Sequence, residues 1–260
     1  MESIILIAAA FFTSALSAII GMGGGITLLG IMALLMPSGF LVVAYHGIIQ
    51  LVSNVTRTAV YRDHVNRLIF TRFLMGLLPG LALSAALIYG IVYANQVSSA
   101  SDLKIDFLKP IIGLYILWFL YFRRKKKAVV VETFKWMGVL AGIATVFIGA
   151  MGPIIAPLFI NDELKKEDVI ATKAACQAAG HLGKMPIFFL FFNVDYISDW
   201  RLLLPLVIAV YVGTKIGKRM LGKLPEHLFQ VLFKIALTII VRVKKTPGIR
   251  FETLQFTLEF

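Results

Sequence analysis

The chain has 260 residues, of which 59% are hydrophobic and 15% charged, and its mean hydropathy is +0.86. This composition excludes an ordinary soluble globular protein and indicates a membrane protein. The net charge of +12 does not predict a nucleic-acid partner, because the basic residues lie mostly in short gaps between apolar runs. The only cysteine, Cys176, has no partner for a disulfide, and we predict neither a metal site nor a cofactor.

Eight apolar segments follow one another, and we predict an all-α polytopic membrane protein with about eight transmembrane segments. The first segment resembles a secretory signal, but Glu2 replaces the usual basic start and no clear cleavage site follows, so we interpret it as a membrane helix. The predicted segments are residues 3–20, 41–61, 69–94, 106–122, 134–151, 168–192, 200–217 and 226–242.

Glycine-rich stretches follow the first and the fifth segments. Each leads into an apolar piece, 26–36 or 154–160, that is too short to span a bilayer. Because the backbone leaves helical geometry inside a membrane only where protein or water satisfies its amides, we predict two protected breaks with re-entrant half-helices. The alternative is that these small residues only allow close helix packing.

A half-helix that begins inside the membrane presents unpaired N–H groups and a positive dipole end, both of which favour an anion. The first half-helix is predicted to begin near Gly24, and the second at Gly152-Pro153, where proline suits a first turn. We therefore expect the backbone at Gly23, Gly24, Gly25 and Gly152 to contribute to an anion site.

A stripe of polar residues at helical spacing follows each break. The first stripe contains His46, Gln50, Asn54, Arg57 and Tyr61, and the second contains Lys173, Gln177, His181, Lys184 and Phe188. The shared register predicts a duplicated unit. Duplication with interrupted hydrophobic segments at matching places is typical of transporters that bind their substrate between two repeats.

Arg57 and Lys184 are the most informative members of these stripes. A charge at the bilayer centre costs roughly 2.5–3.5 kcal/mol on insertion scales, so each cation needs a cavity, a partner or a ligand. No carboxylate within the apolar segments offers an obvious partner. We predict that both bind an anion, together with the four glycines and with Gln50, Asn54, Gln177 and His181. The alternative is that both side chains extend to the lipid headgroups.

His46 and His181 are candidates for carrying a proton with the anion, since imidazole titrates near neutral pH. The alternative is that each only hydrogen-bonds across helices. No spacing brings a serine, a histidine and a carboxylate together as a catalytic set, so we do not predict an enzyme.

The charge pattern divides the chain without fixing its topology. We predict a first membrane repeat at 1–122, a basic cytoplasmic linker at 123–133, a second repeat at 134–242 and a tail at 243–260. Simple alternation cannot place both basic groups near 215–223 and 242–245 in the cytoplasm. Inverted and parallel repeats therefore both remain open, and the sequence gives no oligomeric state.

The chain resembles the TauE/SafE sulfite exporter family, also called the toluene sulfonate uptake permeases. The resemblance rests on the glycine motif from Ile20 to Leu29, on the Gln-Xaa-Xaa-Ser-Asn run at 50–54 and on the counterpart beginning at Gly149, and it covers most of residues 3–242. The chain departs from the family pattern at Met151-Gly152-Pro153, where a full glycine triplet is expected, and in its poorly apolar tail.

The resemblance implies a transporter in the inner membrane of a bacterium or archaeon. Its expected substrates are sulfite, sulfoacetate, thiosulfate or other sulfonates, moved by alternating access with proton coupling. An anion-selective channel is the alternative, because half-helices that face each other also occur in pores. A membrane scaffold without flux of its own is less consistent with deeply placed cations.

Overall fold

The structure, a computed structural model, describes residues 2–20, 23–102, 114, 131–159 and 166–219. The described part of the chain is helical and contains no strand, which confirms the predicted all-α class. Its α-helices are α1 (Glu2–Ile20), α2 (Gly24–Leu35), α3 (Gly39–Val60), α4 (Arg67–Ala94), α5 (Thr133–Phe147), α6 (Gly152–Ile155), α7 (Lys166–Phe192) and α8 (Trp200–Arg219). Three short 3-10 turns lie at Arg62–His64, Ala100–Asp102 and Ala156–Phe159.

By length and composition, α3, α4 and α8 are able to cross a membrane. The apolar stretches Ser3–Ala18, Gly24–Leu35 and Thr133–Phe147 are shorter. The predicted segments 106–122 and 226–242 lie outside the described residues apart from Leu114, as do the tail at 243–260 and most of the linker at 123–133. The eight spanning segments therefore stay a prediction.

Both glycine-rich stretches interrupt the helices. Gly23 has a φ of 96° directly before α2, and Gly149 has a φ of 93° after α5. An L-residue with a side chain is strained at such angles, so glycine is needed at both positions. Helix α2 has 12 residues and agrees closely with the predicted half-helix at 26–36.

The second break differs from its prediction. The fifth segment was expected to be continuous over 134–151, but α5 ends at Phe147 because the backbone turns at Gly149. The half-helix expected at 154–160 is the four-residue helix α6 followed by the 3-10 turn Ala156–Phe159. The second break therefore presents a much shorter helix start than the first.

Helices from the two halves of the chain pack against each other. The most extensive contacts join α4 to α5, α1 to α8, and α3 to α7. Gly76 and Gly80 of α4 lie directly against the backbone of α5, and Gly213 and Gly217 of α8 lie against the backbone of α1. These two Gly-xxx-Gly pairs allow the close approach that is common between membrane helices.

Helices α3 and α7 run in opposite directions at the centre of the bundle. Near the start of α3, Phe40 stacks on Phe192 with ring centroids 5.6 Å apart. Just beyond the end of α3, His64 Nδ1 lies 2.9 Å from Asp168 Oδ1, close to the start of α7. The contacts therefore follow the two helices in opposite order.

We expect Gly76→Ala to destabilise the protein by about 1–3 kcal/mol, because overpacking forces packed helices apart. A Cβ atom at Gly76 would collide with the backbone carbonyl of Lys135, which cannot move without displacing α5. Gly90 is the matched control, since it lies in the same helix and a Cβ there meets nothing within 4 Å. Thermal unfolding in detergent should show a lower Tm for Gly76→Ala than for Gly90→Ala, and equal values would contradict this packing.

Candidate functional site

A small cavity lies between the two helix breaks and the facing surfaces of α3 and α7. Its volume is about 30 Å³, which exceeds the roughly 10–15 Å³ that one water molecule needs. The cavity therefore has room for a compact polar solute or a few water molecules. The residues that line it are Ser17, Gly23, Gly25, Ile26, His46, Gln50, Arg57, Ala150, Gly152, Ala156, Lys173, Gln177 and His181.

A glutamine side chain packs against the glycine at each helix start. A Cβ atom on Gly25 would lie 2.9 Å from Gln50 Oε1, and one on Gly152 would lie 2.6 Å from Gln177 Nε2. Both distances are shorter than ordinary van der Waals contact, so a side chain at either position would displace the glutamine amide. The two halves of the chain thus build the same glycine and glutamine pair on two sides of one cavity.

Arg57 is held inside the protein by neighbouring polar groups. Its side chain is only 3% exposed, its Nη2 donates to Asn54 Oδ1 at 2.7 Å, and its Nη1 lies 3.4 Å from the carbonyl oxygen of Ser17. The amide of Asn54 in turn donates to the backbone oxygen of Gln50 at 2.8 Å. These contacts hold the Arg57 side chain between α3 and α1, inside the helical bundle.

Two polar atoms of the lining residues lack a partner. Within the described part of the chain, Arg57 Nε and His181 Nδ1 are buried and accept or donate no hydrogen bond. A buried polar atom that stays unsatisfied is costly, so native proteins normally fill such positions with protein, water or a ligand. Both residues line the cavity, so these two unpaired atoms belong to its immediate surroundings.

His46 connects the two helix breaks. Its Nε2 lies 2.8 Å from the carbonyl oxygen of Gly25, and its Nδ1 lies 3.1 Å from that of Gly149. Its ring also packs edge to face against His181, with centroids 5.7 Å apart. Because a carbonyl oxygen only accepts, a neutral imidazole with one N–H can satisfy one of these contacts, whereas an imidazolium can satisfy both.

Lys184 is fully buried but lies outside the cavity lining. Its Nζ donates to the backbone oxygens of Val43 at 2.9 Å and of Gly149 at 3.2 Å. Its Cε packs where a side chain at Gly47 would lie. The lysine therefore ties α7 to α3 and to the second break, and it does not extend to the headgroups.

Most, but not all, of the predicted site residues line the cavity. Three of them lie behind the lining: Asn54 contacts Arg57, Lys184 contacts backbone oxygens, and Gly24 packs against α1, where a Cβ atom would collide with the carbonyl of Thr13. The lining includes Ser17 and Lys173, which the sequence did not single out as ligands. Lys173 belongs to the second polar stripe, so helical periodicity could have identified it as a candidate ligand. No sequence pattern distinguishes Ser17.

The electrostatic character of this region is positive. Among the described side chains, Arg57, Lys173 and Lys184 are buried, whereas no aspartate or glutamate is. The ion pairs Arg62–Asp63, His64–Asp168 and Arg72–Glu132 all involve partly or largely exposed side chains. A cavity with this surrounding charge favours an anionic solute.

Comparison with known proteins identifies the family. The profile of the family described as sulfite exporter TauE/SafE matches residues 6–242, which is most of the chain. The chain belongs to the sulfite exporter TauE/SafE family. TauE/SafE proteins are transporters rather than enzymes, and the apolar helices of this member agree with an integral membrane protein. The same comparisons found no match among curated proteins and none among solved structures.

Membership in TauE/SafE implies a small sulfur-containing anion as substrate and the lipid bilayer as surroundings. These two implications agree with the features found independently in the fold. The cavity is buried between apolar helices, and the buried charges beside it are cationic.

Proposed function

We propose that this TauE/SafE protein is a secondary transporter that binds a sulfur oxyanion in the central cavity. Sulfite, thiosulfate, sulfoacetate and other sulfonates are the proposed substrates, and the proposed location is a prokaryotic inner membrane. The observation that carries the proposal is the buried guanidinium of Arg57, which lines the cavity with its Nε unpaired among the described residues. An oxyanion supplies the acceptor that this donor lacks.

The proposed ligand groups come from both halves of the chain. Arg57 supplies charge, and the amide side chains of Gln50 and Gln177 supply N–H donors. His181 and the backbone at Gly23, Gly25 and Gly152 complete the lining that faces the anion. Asn54, Gly24 and Lys184 support this lining from behind, because each contacts a residue or a helix that forms it.

We further propose that residues 1–122 and 134–242 are inverted repeats. Four full crossings per repeat would return the chain to its starting side, so one of the four predicted segments in each repeat then serves as a re-entrant element rather than a full crossing. The separation along the chain from Gln50 to Gln177 equals that from Arg57 to Lys184. On this basis, α3 and α7 are equivalent helices of the two repeats. Their antiparallel packing supports an inverted relation, since equivalent helices of parallel repeats would run in the same direction. Such repeats support alternating access, in which one repeat moves against the other around a fixed site.

Proton coupling through His46 is part of the proposal. Its two carbonyl contacts are both satisfied only by the imidazolium form, so a proton on His46 would complete the link between the two breaks. Lys184 shares the Gly149 carbonyl with His46, and Arg57 and Lys173 line the same cavity, so a proton on His46 adds to a region that already carries buried cationic groups. An anion in the cavity offsets this positive charge, so anion binding and proton uptake should occur together.

Anion binding is tested by thermal stabilisation of the purified protein in detergent. We expect sulfite, thiosulfate, sulfoacetate or taurine to raise the Tm, because a ligand that binds only the folded state stabilises it. Acetate, phosphate and chloride at the same concentration and ionic strength are the comparison anions. A Tm that no anion raises would contradict the proposed site.

His46→Gln is expected to uncouple anion uptake from the proton gradient, because glutamine cannot carry the proton. Uptake into proteoliposomes should lose its stimulation by an imposed pH gradient while anion binding is retained. His64→Gln is the matched control, since His64 is partly exposed and pairs with Asp168 away from the cavity. Unchanged stimulation in His46→Gln would exclude His46 as the coupling residue.

A further inference from the structure

Two buried lysines lie on the same stripe of α7, and their surroundings differ. We propose that Lys173, rather than Lys184, provides the second cation that contacts the anion, and that Lys184 is a positioning residue for the second helix break. This inference rests on the proposed function, because it assigns roles within the same anion site. It departs from the sequence-based expectation, in which Lys184 was the ligand.

Lys173 lies on the wall of the cavity. It is 3% exposed and lines the cavity together with Gln177 and His181, which follow it at intervals of four residues along α7. This spacing places the three side chains on one helical face. Lys173 occupies in the second stripe the place that His46 occupies in the first, and His46 also lines the cavity.

The antiparallel order of α3 and α7 separates the two lysines. Lys184 lies outside the cavity lining, about one helical turn beyond His181 on α7, against Gly47 and the carbonyl oxygen of Val43. Lys173 lies about two helical turns from His181 in the other direction, towards the start of α7, which lies near the end of α3 that carries Arg57. The cavity lining thus contains one guanidinium from the first half of the chain and one ammonium from the second.

Lys184 uses its donors on backbone oxygens. Its Nζ bonds to the carbonyl of Val43 in α3 and to that of Gly149 at the break, where the backbone φ is 93°. The Gly149 carbonyl oxygen also lies 3.1 Å from Nδ1 of His46. Since two of the three ammonium donors are engaged in this way, Lys184 holds the break in place for the residues that line the cavity.

The two roles predict different effects on charge selectivity. A cation that touches the anion interacts more strongly with a dianion than with a monoanion, so its removal lowers the dianion affinity more. A positioning residue changes the shape of the site and therefore weakens both anions by a similar factor. Thiosulfate and methanesulfonate are suitable probes, because they have a similar shape and carry two charges and one charge at neutral pH.

The experiment compares the wild type with Lys173→Gln, Lys173→Arg and Lys184→Gln by calorimetric titration with both probes. We expect Lys173→Gln to weaken thiosulfate binding by roughly 10- to 100-fold and methanesulfonate binding much less. Lys173→Arg keeps the positive charge, so its ratio of thiosulfate affinity to methanesulfonate affinity should be close to that of the wild type. Lys184→Gln should lower the Tm and weaken both probes equally, leaving the ratio unchanged.

The assignment would be overturned, and the ligand role returned to Lys184, if Lys184→Gln changed the ratio of the thiosulfate affinity to the methanesulfonate affinity while Lys173→Gln left this ratio unchanged. Equal weakening of both probes in Lys173→Gln would also overturn it. In either case, wild-type binding of the probes would leave the proposed function intact. A wild-type protein that binds neither probe would contradict the proposed function and this inference together.

Discussion

Arg57→Gln is expected to lower the affinity for a sulfur oxyanion by about 30- to 5000-fold, the range for truncating one partner of a buried, hydrogen-bonded charge pair. The guanidinium lines the cavity, and its Nε has no partner among the described residues. Glutamine keeps part of the volume and one amide donor but removes the charge. Titration of purified protein with sulfite or thiosulfate measures the loss.

Arg62→Gln is the matched control for this change. Arg62 follows α3 in a 3-10 turn, and its side chain is 81% exposed beside Asp63. Its neutralisation alters the net charge of the protein by the same amount without touching the cavity, so the affinity should stay close to that of the wild type. Equal losses in the two variants would show that overall charge, rather than this site, attracts the anion.

Gly25→Val is expected to abolish anion uptake. The first atom of any side chain at this position would lie 2.9 Å from Gln50 Oε1, and a branched side chain would fill the space between that amide and the cavity. The cavity measures only about 30 Å³, so the added methyl groups compete directly with the anion for its volume. Uptake by proteoliposomes that contain equal amounts of folded protein measures the effect.

Two further variants separate this steric effect from unfolding. Gly90→Val introduces the same side chain at a position where a Cβ atom meets nothing within 4 Å, and its uptake should equal that of the wild type. Gly25→Ala combined with Gln50→Ala removes the clashing amide and should recover the Tm lost in Gly25→Ala alone. Normal uptake by folded Gly25→Val would contradict the position of the anion.

The sequence predicted which residues of the first half of the chain share one helical face beside the first break. Helical periodicity placed His46, Gln50 and Arg57 on one face, and all three line the cavity. The glycine cluster predicted a break and a short helix, which the structure has from Gly24 to Leu35. These features are local, because each depends on spacing or backbone geometry within a few residues.

The arrangement of residues from the second half of the chain could not be predicted from sequence patterns. Periodicity gives the angle of a side chain around α7, so it could not separate Lys173 from Lys184, which lie about 16 Å apart along the axis at 1.5 Å per residue. The roles that we propose for them differ because Lys184 contacts α3 and the Gly149 carbonyl, whereas Lys173 lines the cavity. The apolar run 154–160 likewise suggested a longer half-helix than the four residues of α6.

The relative orientation of the two proposed repeats also could not be predicted from the sequence. Basic loop residues gave contradictory placements, and some of them, including Lys244, lie outside the described residues. The order of contacts between α3 and α7, from the pair Phe40 and Phe192 to the pair His64 and Asp168, now supports inverted repeats. The relative direction of two helices so far apart in the chain is information that a local sequence pattern does not carry.

Uptake of radiolabelled sulfite or thiosulfate into proteoliposomes tests the central claim most directly, because it asks whether the cavity binds an anion and moves it across a bilayer. We predict uptake by the wild type that saturates with substrate concentration and is lost in Arg57→Gln but not in Arg62→Gln. Flux that rises without saturation would indicate an anion-selective pore instead of a carrier. Saturable uptake that is unchanged in Arg57→Gln would contradict the cavity as the binding site.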